Sequence, residues 1–416
     1  MIVEIEMLSK TLKFVQEKFL EYYKDSFQET WVPSLFENRE FGVLLFKEKI
    51  MVRHRSFQQF DELKGFLCEL VPSDVYYSSA YYEEPSASEM GEKGWFGADL
   101  IFDIDADHIP TPCEKVHDVW VCSNCNFSDR GVAPEKCPSC GAQKIDTKTW
   151  VCEVCLETTK RETMKLLDML TSDFGFSAKE MKVYFSGHRG YHVHVEEESV
   201  RNLDQIARRE IVDYIVGIGL DMDIHGLKVI DQRLVGPDFS DVGWGGRIAR
   251  GTYEFLLNSS SQDLERLGLQ RRAIDAIVKY KSEILESWKE RGPWNIVKGV
   301  GLASWQKIVE QGIELQSAKI DTVVTTDIHR LIRLDGTLHG KTGLKKTEVS
   351  VAGIDGFDPL KDAVAFKQGA VEVFVHESPK FRIGDTEYEG LKERKVELPI
   401  AAGLFLLCKG AAEVAT

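Results

Sequence analysis

Residues 98–107 read Ala98-Asp99-Leu100-Ile101-Phe102-Asp103-Ile104-Asp105-Ala106-Asp107, an apolar run that ends in acids. Because side chains alternate between the two faces of a strand, Asp103 and Asp105 are predicted to lie on the same face. Adjacent carboxylates repel each other, and a divalent cation removes that repulsion. Oxygen ligands suit Mg²⁺ or Mn²⁺, so the run predicts a metal site for phosphoryl or nucleotidyl transfer. The alternative is a polar strand end whose acids are solvated.

A second segment joins two strand-like runs through a turn that glycines bracket. It reads Lys182-Val183-Tyr184-Phe185-Ser186-Gly187-His188-Arg189-Gly190-Tyr191-His192-Val193-His194. Glycines allow the backbone to approach a ligand closely, and Ser186, His188 and Arg189 can donate hydrogen bonds to phosphate oxygens. The segment therefore predicts a phosphate-binding turn. The alternative is a β-hairpin with incidental polar residues.

A third segment, residues 329–346, is the most basic part of the chain. Five Lys or Arg residues and two His residues crowd into it, and Asp321 and Asp327 precede it. Acidic metal ligands followed by a cationic cradle are what a nucleoside triphosphate and its metal ions require.

Composition restricts the class of protein. The chain has 416 residues, 43% hydrophobic and 29% charged, which is typical of a globular protein with more than one compact unit. No apolar run reaches the ~20 residues that cross a bilayer, and no export signal is visible, so we expect a cytoplasmic protein without membrane contact. The net charge of −15 disfavours bulk binding of nucleic acid and indicates a local basic cleft, with a partner that helps to grip the strand.

Cysteine spacing predicts metal binding of a second kind. Seven of the nine cysteines lie between Cys113 and Cys155 and include three C-x2-C pairs. Pairs at this spacing are typical of zinc sites, and a compact zinc ribbon is predicted from Cys122, Cys125, Cys137 and Cys140. Disulfides or free thiols are the alternative, which the absence of a secretory signal disfavours. The two remaining cysteines, Cys68 and Cys408, lie in apolar runs and are predicted core residues.

Hydrophobic periodicity indicates an α+β protein. Helical spacing is found at residues 8–24, 57–71, 156–173 and 398–407, and most of residues 200–318 also follow it. Strand-like runs occupy residues 41–46, 50–53, 98–105 and 371–375. A further strand is predicted near Ile320, Val323 and Val324.

Together these segments resemble the small catalytic subunit of archaeal and eukaryotic DNA primases. Five pieces carry the resemblance, in this order: Asn38-Arg39-Glu40-Phe41, Phe102-Asp103-Ile104-Asp105, Asp173-Phe174-Gly175-Phe176, Ser186-Gly187-His188-Arg189-Gly190-Tyr191-His192, and Arg330-Leu331-Ile332-Arg333 through Leu338-His339-Gly340-Lys341-Thr342-Gly343. The order and spacing of all five are hard to reach by chance.

The resemblance implies roles for individual residues. Two catalytic ions, Mg²⁺ or Mn²⁺, would be held by Asp103 and Asp105 with Asp321, which takes the third position by its spacing from the later motif. The residues expected to bind the triphosphate are Ser186, His188, Arg189, His192, Arg333, His339 and Lys341. Arg53 resembles a family position that touches nucleotide or template.

The resemblance also implies how the cysteines divide. Val119-Trp120-Val121-Cys122 and Thr149-Trp150-Val151-Cys152 read as a local repeat. Removing the segment between them leaves a remnant that resembles the zinc knuckle of the primase family. We therefore expect two structural zinc ions, one on Cys113, His117, Cys152 and Cys155, the other on Cys122, Cys125, Cys137 and Cys140.

The expected fold is a primase-type mixed sheet flanked by helices, with a zinc-binding module and a helical subdomain. The expected division has catalytic parts at residues 1–111, 156–199 and 319–416, a zinc module with an inserted ribbon at 112–155, and a mostly helical subdomain at 200–318. The implied activity is primer synthesis on single-stranded DNA from nucleoside triphosphates, by two-metal nucleotidyl transfer, in a heterodimer with the primase large subunit. A metal-dependent nuclease and a non-catalytic zinc-ribbon scaffold that binds nucleic acid or protein are the alternatives.

Overall fold

A computed structural model of the protein describes residues 2–47, 50–220, 226–289 and 292–415. The chain forms two compact units. The first contains Met1–Thr163, Ala178–Arg208 and Ile320–Thr416, and the second contains Met164–Ser177 and Arg209–Lys319. Every residue that the sequence predicts for catalysis, phosphate binding or metal binding belongs to the first unit. No helix in the described ranges is long and apolar enough to cross a membrane.

The strands are short, and most belong to the first unit. In chain order they are β1 Phe41–Leu44, β2 Met51–Arg55, β3 Asp74–Ser78, β4 Ala80–Tyr82, β5 Trp95–Ala98, β6 Leu100–Asp105, β7 Val119–Cys122, β8 Ser128–Arg130, β9 Ile145–Lys148, β10 Met181–Phe185, β11 Gly190–Val195, β12 Lys228–Ile230, β13 Arg233–Val235, β14 Leu331–Arg333, β15 Thr347–Val349, β16 Ala370–Ser378, β17 Phe381–Ile383, β18 Thr386–Tyr388, β19 Leu391–Pro399 and β20 Ala412–Val414.

Helices occur in both units. In chain order they are α1 Ile2–Asp25, α2 Phe60–Leu70, α3 Glu114–His117, α4 Glu153–Ser172, α5 Glu198–Arg201, α6 Gln205–Val216, α7 Trp244–Asn258, α8 Ser261–Arg266, α9 Arg271–Lys279, α10 Lys281–Glu286, α11 Leu302–Gln316, α12 Thr322–Thr326, α13 Pro359–Asp362 and α14 Ile400–Cys408. Short 3₁₀ turns lie at Glu29–Trp31, Phe36–Asn38, Met90–Glu92, Ser287–Lys289 and Val351–Gly353.

One four-stranded sheet carries both the acidic strand and the glycine-bracketed turn. Its strand order is β15-β10-β11-β6, and each pairing is antiparallel. The register of β11 with β6 sets His192 opposite Asp103 and Gly190 opposite Asp105. The turn between β10 and β11 therefore lies at the end of the strand where the acids are.

A second four-stranded sheet brings in the basic segment. Its order is β14-β3-β1-β2, so β14, which ends at Arg333, lies at an edge beside β3. The hydroxyl of Tyr77 on β3 hydrogen-bonds with Nδ1 of His194 on β11 at 3.2 Å. Since both side chains are buried, this contact ties the two sheets together inside the first unit.

The cysteine-rich region and the C-terminal region have small sheets of their own. Strands β8, β7 and β9 form a three-stranded antiparallel sheet in the cysteine-rich region. In the C-terminal region β16 pairs with β19 and β20, and the buried helix α14 follows directly after β19. Both are parts of the first unit.

The second unit is mostly helical, and two glycines allow helices α7 and α11 to pack closely together. Gly251 on α7 and Gly312 on α11 lie so close that a Cβ on Gly251 would collide with the Gly312 carbonyl. Arg247, also on α7, is buried and pairs with Asp168 at 2.9 Å and with Asp173 at 2.5 Å.

The predicted strand near residue 320 is wrong. Residues Thr322–Thr326 form the short helix α12, and the Asp321 carboxylate accepts hydrogen bonds from the backbone of Val323 at 2.9 Å and Val324 at 3.3 Å. This side-chain cap satisfies two amides that begin the helix, and it outweighs the strand preference of the valines. The other short periodic segments form elements of the predicted type within three residues of the predicted bounds, except that α1 begins six residues before its predicted start.

Candidate active site and metal centres

The three predicted carboxylates lie together at the end of β6. Asp103 and Asp105 belong to the strand, and the backbone N–H of Asp321 donates to the carbonyl oxygen of Asp103 at 2.8 Å. The three side chains are 20%, 23% and 19% exposed, respectively. Asp321 is thus held beside the other two acids from a distant part of the chain, and all three remain open to a ligand.

Burial and mutual repulsion raise the pKa values of the acids in this cluster. Burial raises the pKa of Asp103 to about 8, and the charges of Asp105 and Asp321 contribute to the rise. Burial also raises the pKa of Asp105, and Asp107 adds to that effect. At neutral pH the cluster therefore gains stability from a proton or a cation, which is what a site for a divalent ion requires.

The carboxylate cluster is open, unlike the cysteine clusters. Among the described residues, only the two cysteine groups bring three or more potential metal ligands within 4.8 Å of one another. An open carboxylate arrangement fits Mg²⁺ or Mn²⁺, because these ions retain water and take further oxygen ligands from substrate phosphates. The donors present at this site therefore fit such an ion.

His192 lies beside Asp103, on the neighbouring strand β11 of the same sheet. Its Nε2 is 3.5 Å from Oδ1 of Asp103, as the strand register requires. Burial lowers the pKa of His192 well below its usual value, and the nearby cations Lys346 and Arg333 lower it further. The imidazole is therefore neutral and can donate one hydrogen bond into the site.

The glycine-bracketed turn depends on a close approach to β6. A Cβ at Gly190 would collide with the carbonyl oxygen of Ile104, so only glycine fits there. Gly187 has a φ of +85°, which glycine adopts without strain. Inside the turn the Ser186 hydroxyl accepts from the His188 amide at 3.3 Å. The turn is thus preformed beside the acids.

Arg189 makes ion pairs within the protein. Its Nε donates to Asp107 at 2.6 Å and its Nη1 to Asp118 at 2.8 Å, and Nη1 also reaches the carbonyl of Trp150 at 3.2 Å. Arg189 Nε is also 3.9 Å from Asp105 Oδ1. The structure therefore places Arg189 between the acidic strand and the cysteine-rich region. Direct binding of a phosphate by Arg189 requires at least one of these pairs to open.

The basic segment is organised by Asp74, which the sequence analysis did not identify. Asp74 accepts from Arg333 at 2.6 Å and from the Gly340 amide at 3.1 Å, and it lies 3.8 Å from His339 Nδ1. Burial opposes its charge, but Arg333 and His339 hold the pKa of Asp74 well below its usual range. No local signal marks Asp74, since it begins an ordinary buried strand.

Lys346 is a second residue that sequence reasoning missed. It is fully buried, and its Nζ donates to the carbonyl of Arg333 at 2.6 Å. Burial lowers the pKa of Lys346 to about 7, while Asp335 and Asp103 oppose that shift. The position of Lys346 in the basic segment was the sequence signal that could have identified it. A buried cation that interacts with Asp103 contributes directly to the electrostatics of the acids.

The remaining predicted phosphate ligands lie near one another. The rings of His188 and His339 stack with their centroids 4.9 Å apart. The backbone N–H of Lys341 donates to His339 Nδ1 at 3.1 Å, and the Lys341 side chain is exposed. Arg53 instead lies on β2 and pairs with Glu40 at 3.0 Å.

The first cysteine group, which we call the knuckle, consists of Cys113, His117, Cys152 and Cys155. Its four ligand atoms all lie within 4.8 Å of one another. The Sγ atoms of Cys113 and Cys155 are 3.3 Å apart, and His117 Nε2 is 3.3 Å from Cys152 Sγ. A tetrahedral zinc ion with Zn–S near 2.3 Å separates its sulfur ligands by about 3.8 Å, so these residues fit one.

The second group, which we call the ribbon cluster, consists of Cys122, Cys125, Cys137 and Cys140. Its sulfurs also lie within 4.8 Å of one another. Cys122 and Cys140 are 3.6 Å apart, as are Cys125 and Cys137. The two groups are the same two sets that the sequence analysis proposed, and each offers the donors of a closed tetrahedral site.

The knuckle is connected to the acidic strand by a chain of contacts. His117 Nδ1 is 2.7 Å from Asp118 Oδ1, and Asp118 Oδ2 accepts from Arg189. Arg189 in turn holds Asp107 and approaches Asp105. Cys113 and Cys155 also pack with Ala106, the residue after Asp105. Asp118 thus links the knuckle to Arg189, and sequence reasoning did not identify it.

Comparison with known proteins identifies the family. A family model described as DNA primase small subunit matches residues 142–351. The DNA primase small subunit PriS of Methanothrix thermoacetophila is 35% identical over 98% of this chain and 100% of its own length. The proteins of that name from Methanococcoides burtonii and Archaeoglobus fulgidus are 34% and 36% identical, each over 97% of this chain and 98% of its own length.

These three relatives share one name, and each matches this chain over nearly the full length of both proteins. The chain belongs to the DNA primase small subunit family. The resemblance drawn from the five sequence pieces is confirmed.

A second family model covers the ribbon. It is described as rubrerythrin, rubredoxin-like domain, and it matches residues 120–145. That range contains all four cysteines of the ribbon cluster and none of the knuckle ligands. The match is independent support for a metal-binding ribbon within the cysteine-rich region.

Proposed function

We propose that this chain is the catalytic subunit of a DNA primase, which synthesises short primers on single-stranded DNA from nucleoside triphosphates by template-directed nucleotidyl transfer. The observation that carries the proposal is the convergence of Asp103, Asp105 and Asp321, in which the third acid is hydrogen-bonded through its backbone to the first. The raised pKa of Asp103 adds to this, because it indicates a cluster that favours a cation.

Each residue has a proposed part in the reaction. The three aspartates hold Mg²⁺ or Mn²⁺, which when bound lowers the pKa of the attacking 3′ hydroxyl and offsets charge on the leaving pyrophosphate. Neutral His192 donates a hydrogen bond next to Asp103, and the buried charge of Lys346 favours anions at the same place. The phosphates are bound by Ser186, His188, Arg189, His192, Arg333, His339 and Lys341.

Two zinc ions complete the proposed cofactors. The knuckle and the ribbon cluster each supply four ligands, which leaves no position for water, so both ions are structural. A zinc ion held by the knuckle would fix His117, whose contact with Asp118 leads to Arg189 beside the acids. A metal-bound histidine whose other ring nitrogen bonds a carboxylate is a common way of orienting the ring.

The proposed assembly includes a second protein. We propose a heterodimer with the primase large subunit, because a chain with a net charge of −15 is poorly suited to hold a nucleic acid strand alone. The fold of the first unit is proposed to be the primase-type sheet arrangement, and the five-part division of the chain given above is part of the same proposal.

Primer synthesis tests the proposal. Purified protein, with and without the large subunit, is incubated with single-stranded DNA, labelled nucleotides and Mg²⁺ or Mn²⁺. We expect labelled products longer than a dinucleotide, and we expect Asp105→Asn to abolish them. Asp327→Asn is the matched control, since Asp327 also precedes the basic segment. Shortened template without new product would indicate the nuclease alternative, and unchanged synthesis by Asp105→Asn would overturn the assignment of the metal ligands.

A further inference from the structure

A cavity of about 450 Å³ lies in the first unit between the cysteine-rich region and the C-terminal region. It is lined by the end of β9, by the residues that follow helix α14, and by Lys341 from the basic segment. None of the three catalytic aspartates lines it. It is therefore a space separate from the carboxylate cluster.

The lining of this cavity carries an excess of positive charge. Lys148, Lys341 and Lys409 line it, together with a single acid, Glu377. That acid is paired with Lys392 at 3.5 Å. The three lysines therefore face the cavity without compensation from its own acidic residue.

Lys409 has an unusual set of partners. Its Nζ donates to the carbonyl oxygen of Thr149 at 3.1 Å and lies 2.9 Å from Nε2 of His188. Within the described ranges no carboxylate lies within ion-pair distance, 4.0 Å, of this ammonium. An ammonium has three N–H donors, so one donor remains for a group inside the cavity. Partly buried cations are ordinarily compensated by an anion.

The surroundings of Lys409 favour an anion still further. Burial lowers the pKa of Lys409 to about 7, and the positive charges of Arg189 and Lys341 add to that shift, while Asp107 and Asp118 oppose it. An anion that contacts the ammonium would relieve both the repulsion and part of the desolvation cost.

We infer that this cavity is a second phosphate-binding site, which takes a phosphate group from a nucleotide's polyphosphate tail or from the backbone of a nucleic acid strand. Lys409 donates its remaining N–H to the phosphate, and Lys341 and Lys148 add charge from the rim. The inference rests on the proposed function only in its choice of ligand sources. The site itself follows from the lysines that line the cavity.

The site is connected to the proposed triphosphate ligands through His188 and His339, which are two of them. When Lys409 is protonated it donates to His188 Nε2, so His188 carries its own proton on Nδ1. The His188 ring stacks on His339. A phosphate bound to Lys409 therefore holds the ammonium, and with it both imidazoles, in the geometry that the structure shows.

Calorimetry without added divalent cation tests the site, because it does not require synthesis. Inorganic tripolyphosphate and a single-stranded oligothymidylate are titrated separately into wild-type protein, Lys409→Met, Lys409→Arg and the exposed control Lys279→Met. We expect Lys409→Met to weaken binding of one probe by about tenfold, the usual size of a lost charge-assisted contact. Lys409→Arg should restore most of the loss.

The two probes separate the two sources of phosphate. A loss confined to tripolyphosphate assigns the site to a nucleotide tail, and a loss confined to the oligonucleotide assigns it to a strand. Should Lys409→Met fail to fold, the exposed Lys148→Met takes its place, with an expected loss of about twofold to fivefold. Binding of both probes that matches the Lys279→Met control overturns the inference, whether or not the protein makes primers.

Discussion

The knuckle and the ribbon cluster offer a metal ion nearly the same donors, but they differ in their surroundings. Cys113 and Cys155 of the knuckle are buried and pack against Ala106, next to Asp105. In the ribbon cluster Cys125 and Cys140 are exposed, and they lie in the loops that join β7 to β8 and β8 to β9. Only the knuckle has a carboxylate bridge to Arg189. We therefore propose that connection to the acids, rather than ligand type, determines how much each cysteine group matters for the proposed reaction.

Of the changes that test this comparison, Cys155→Ser should have the largest effect on stability and synthesis. A structural zinc site contributes several kcal/mol to folding, so loss of one buried ligand should lower the Tm by roughly 10 °C or more and abolish synthesis. The matched variant Cys140→Ser in the ribbon cluster should release one metal ion and retain the fold of the first unit. Thermal unfolding and metal analysis of both variants measure these effects. Equal losses of Tm and synthesis in the two variants would contradict the proposed difference between the knuckle and the ribbon cluster.

Asp118→Asn should have an intermediate effect. It keeps the knuckle ligands but removes the carboxylate that joins His117 to Arg189, so metal content should stay at two ions per chain. We expect kcat/KM for the nucleotide to fall about tenfold, as a buried charged contact is lost, and Asp118→Glu to recover part of it. Asp129→Asn, an exposed acid on β8, should leave kinetics unchanged. Loss of the knuckle metal in Asp118→Asn would show that the role of Asp118 is purely structural.

Asp103→Asn should have the smallest effect on stability. It should raise the thermal stability, whereas Cys155→Ser lowers it. Because the pKa of Asp103 is raised to about 8 in the folded protein and is about 3.9 when unfolded, the native state binds the extra proton between these values. The wild-type protein therefore loses stability as pH rises from 4 to 8. Without divalent cation the variant should melt several degrees higher at pH 8 and no higher at pH 4. Melting curves of the variant and the wild type at both pH values test this prediction. A Tm of the variant below that of the wild type at pH 8 would contradict repulsion among the aspartates.

The acidic strand, the turn and the ribbon cluster were predictable because each depends on spacing within one segment, whereas the ligands of the knuckle were implied by the family resemblance. Strand alternation predicts that Asp103 and Asp105 share a face, and C-x2-C spacing predicts the ribbon. Asp321 was placed by family resemblance, while its local structure was predicted wrongly, since its own carboxylate caps a helix.

Other parts of the site could not be predicted from local pattern. Asp74, Asp118 and Lys409 act through partners far away in the chain: Arg333, Arg189 and His188. No periodicity or motif marks such pairs, because only the packed sheets bring them together. For the same reason the sequence suggested Arg189 as a free phosphate ligand, whereas the structure shows it paired with two aspartates.

The central claim is that Asp103, Asp105 and Asp321 form one site for a divalent cation, and titration with Mn²⁺ tests it most directly. Electron paramagnetic resonance measures free Mn²⁺ as it is added to wild-type protein, Asp321→Asn and the control Asp327→Asn, in the presence of a nucleoside triphosphate. We predict that Asp321→Asn weakens Mn²⁺ binding by on the order of tenfold and that Asp327→Asn matches the wild type. Binding by Asp321→Asn that equals the wild type would contradict the claim.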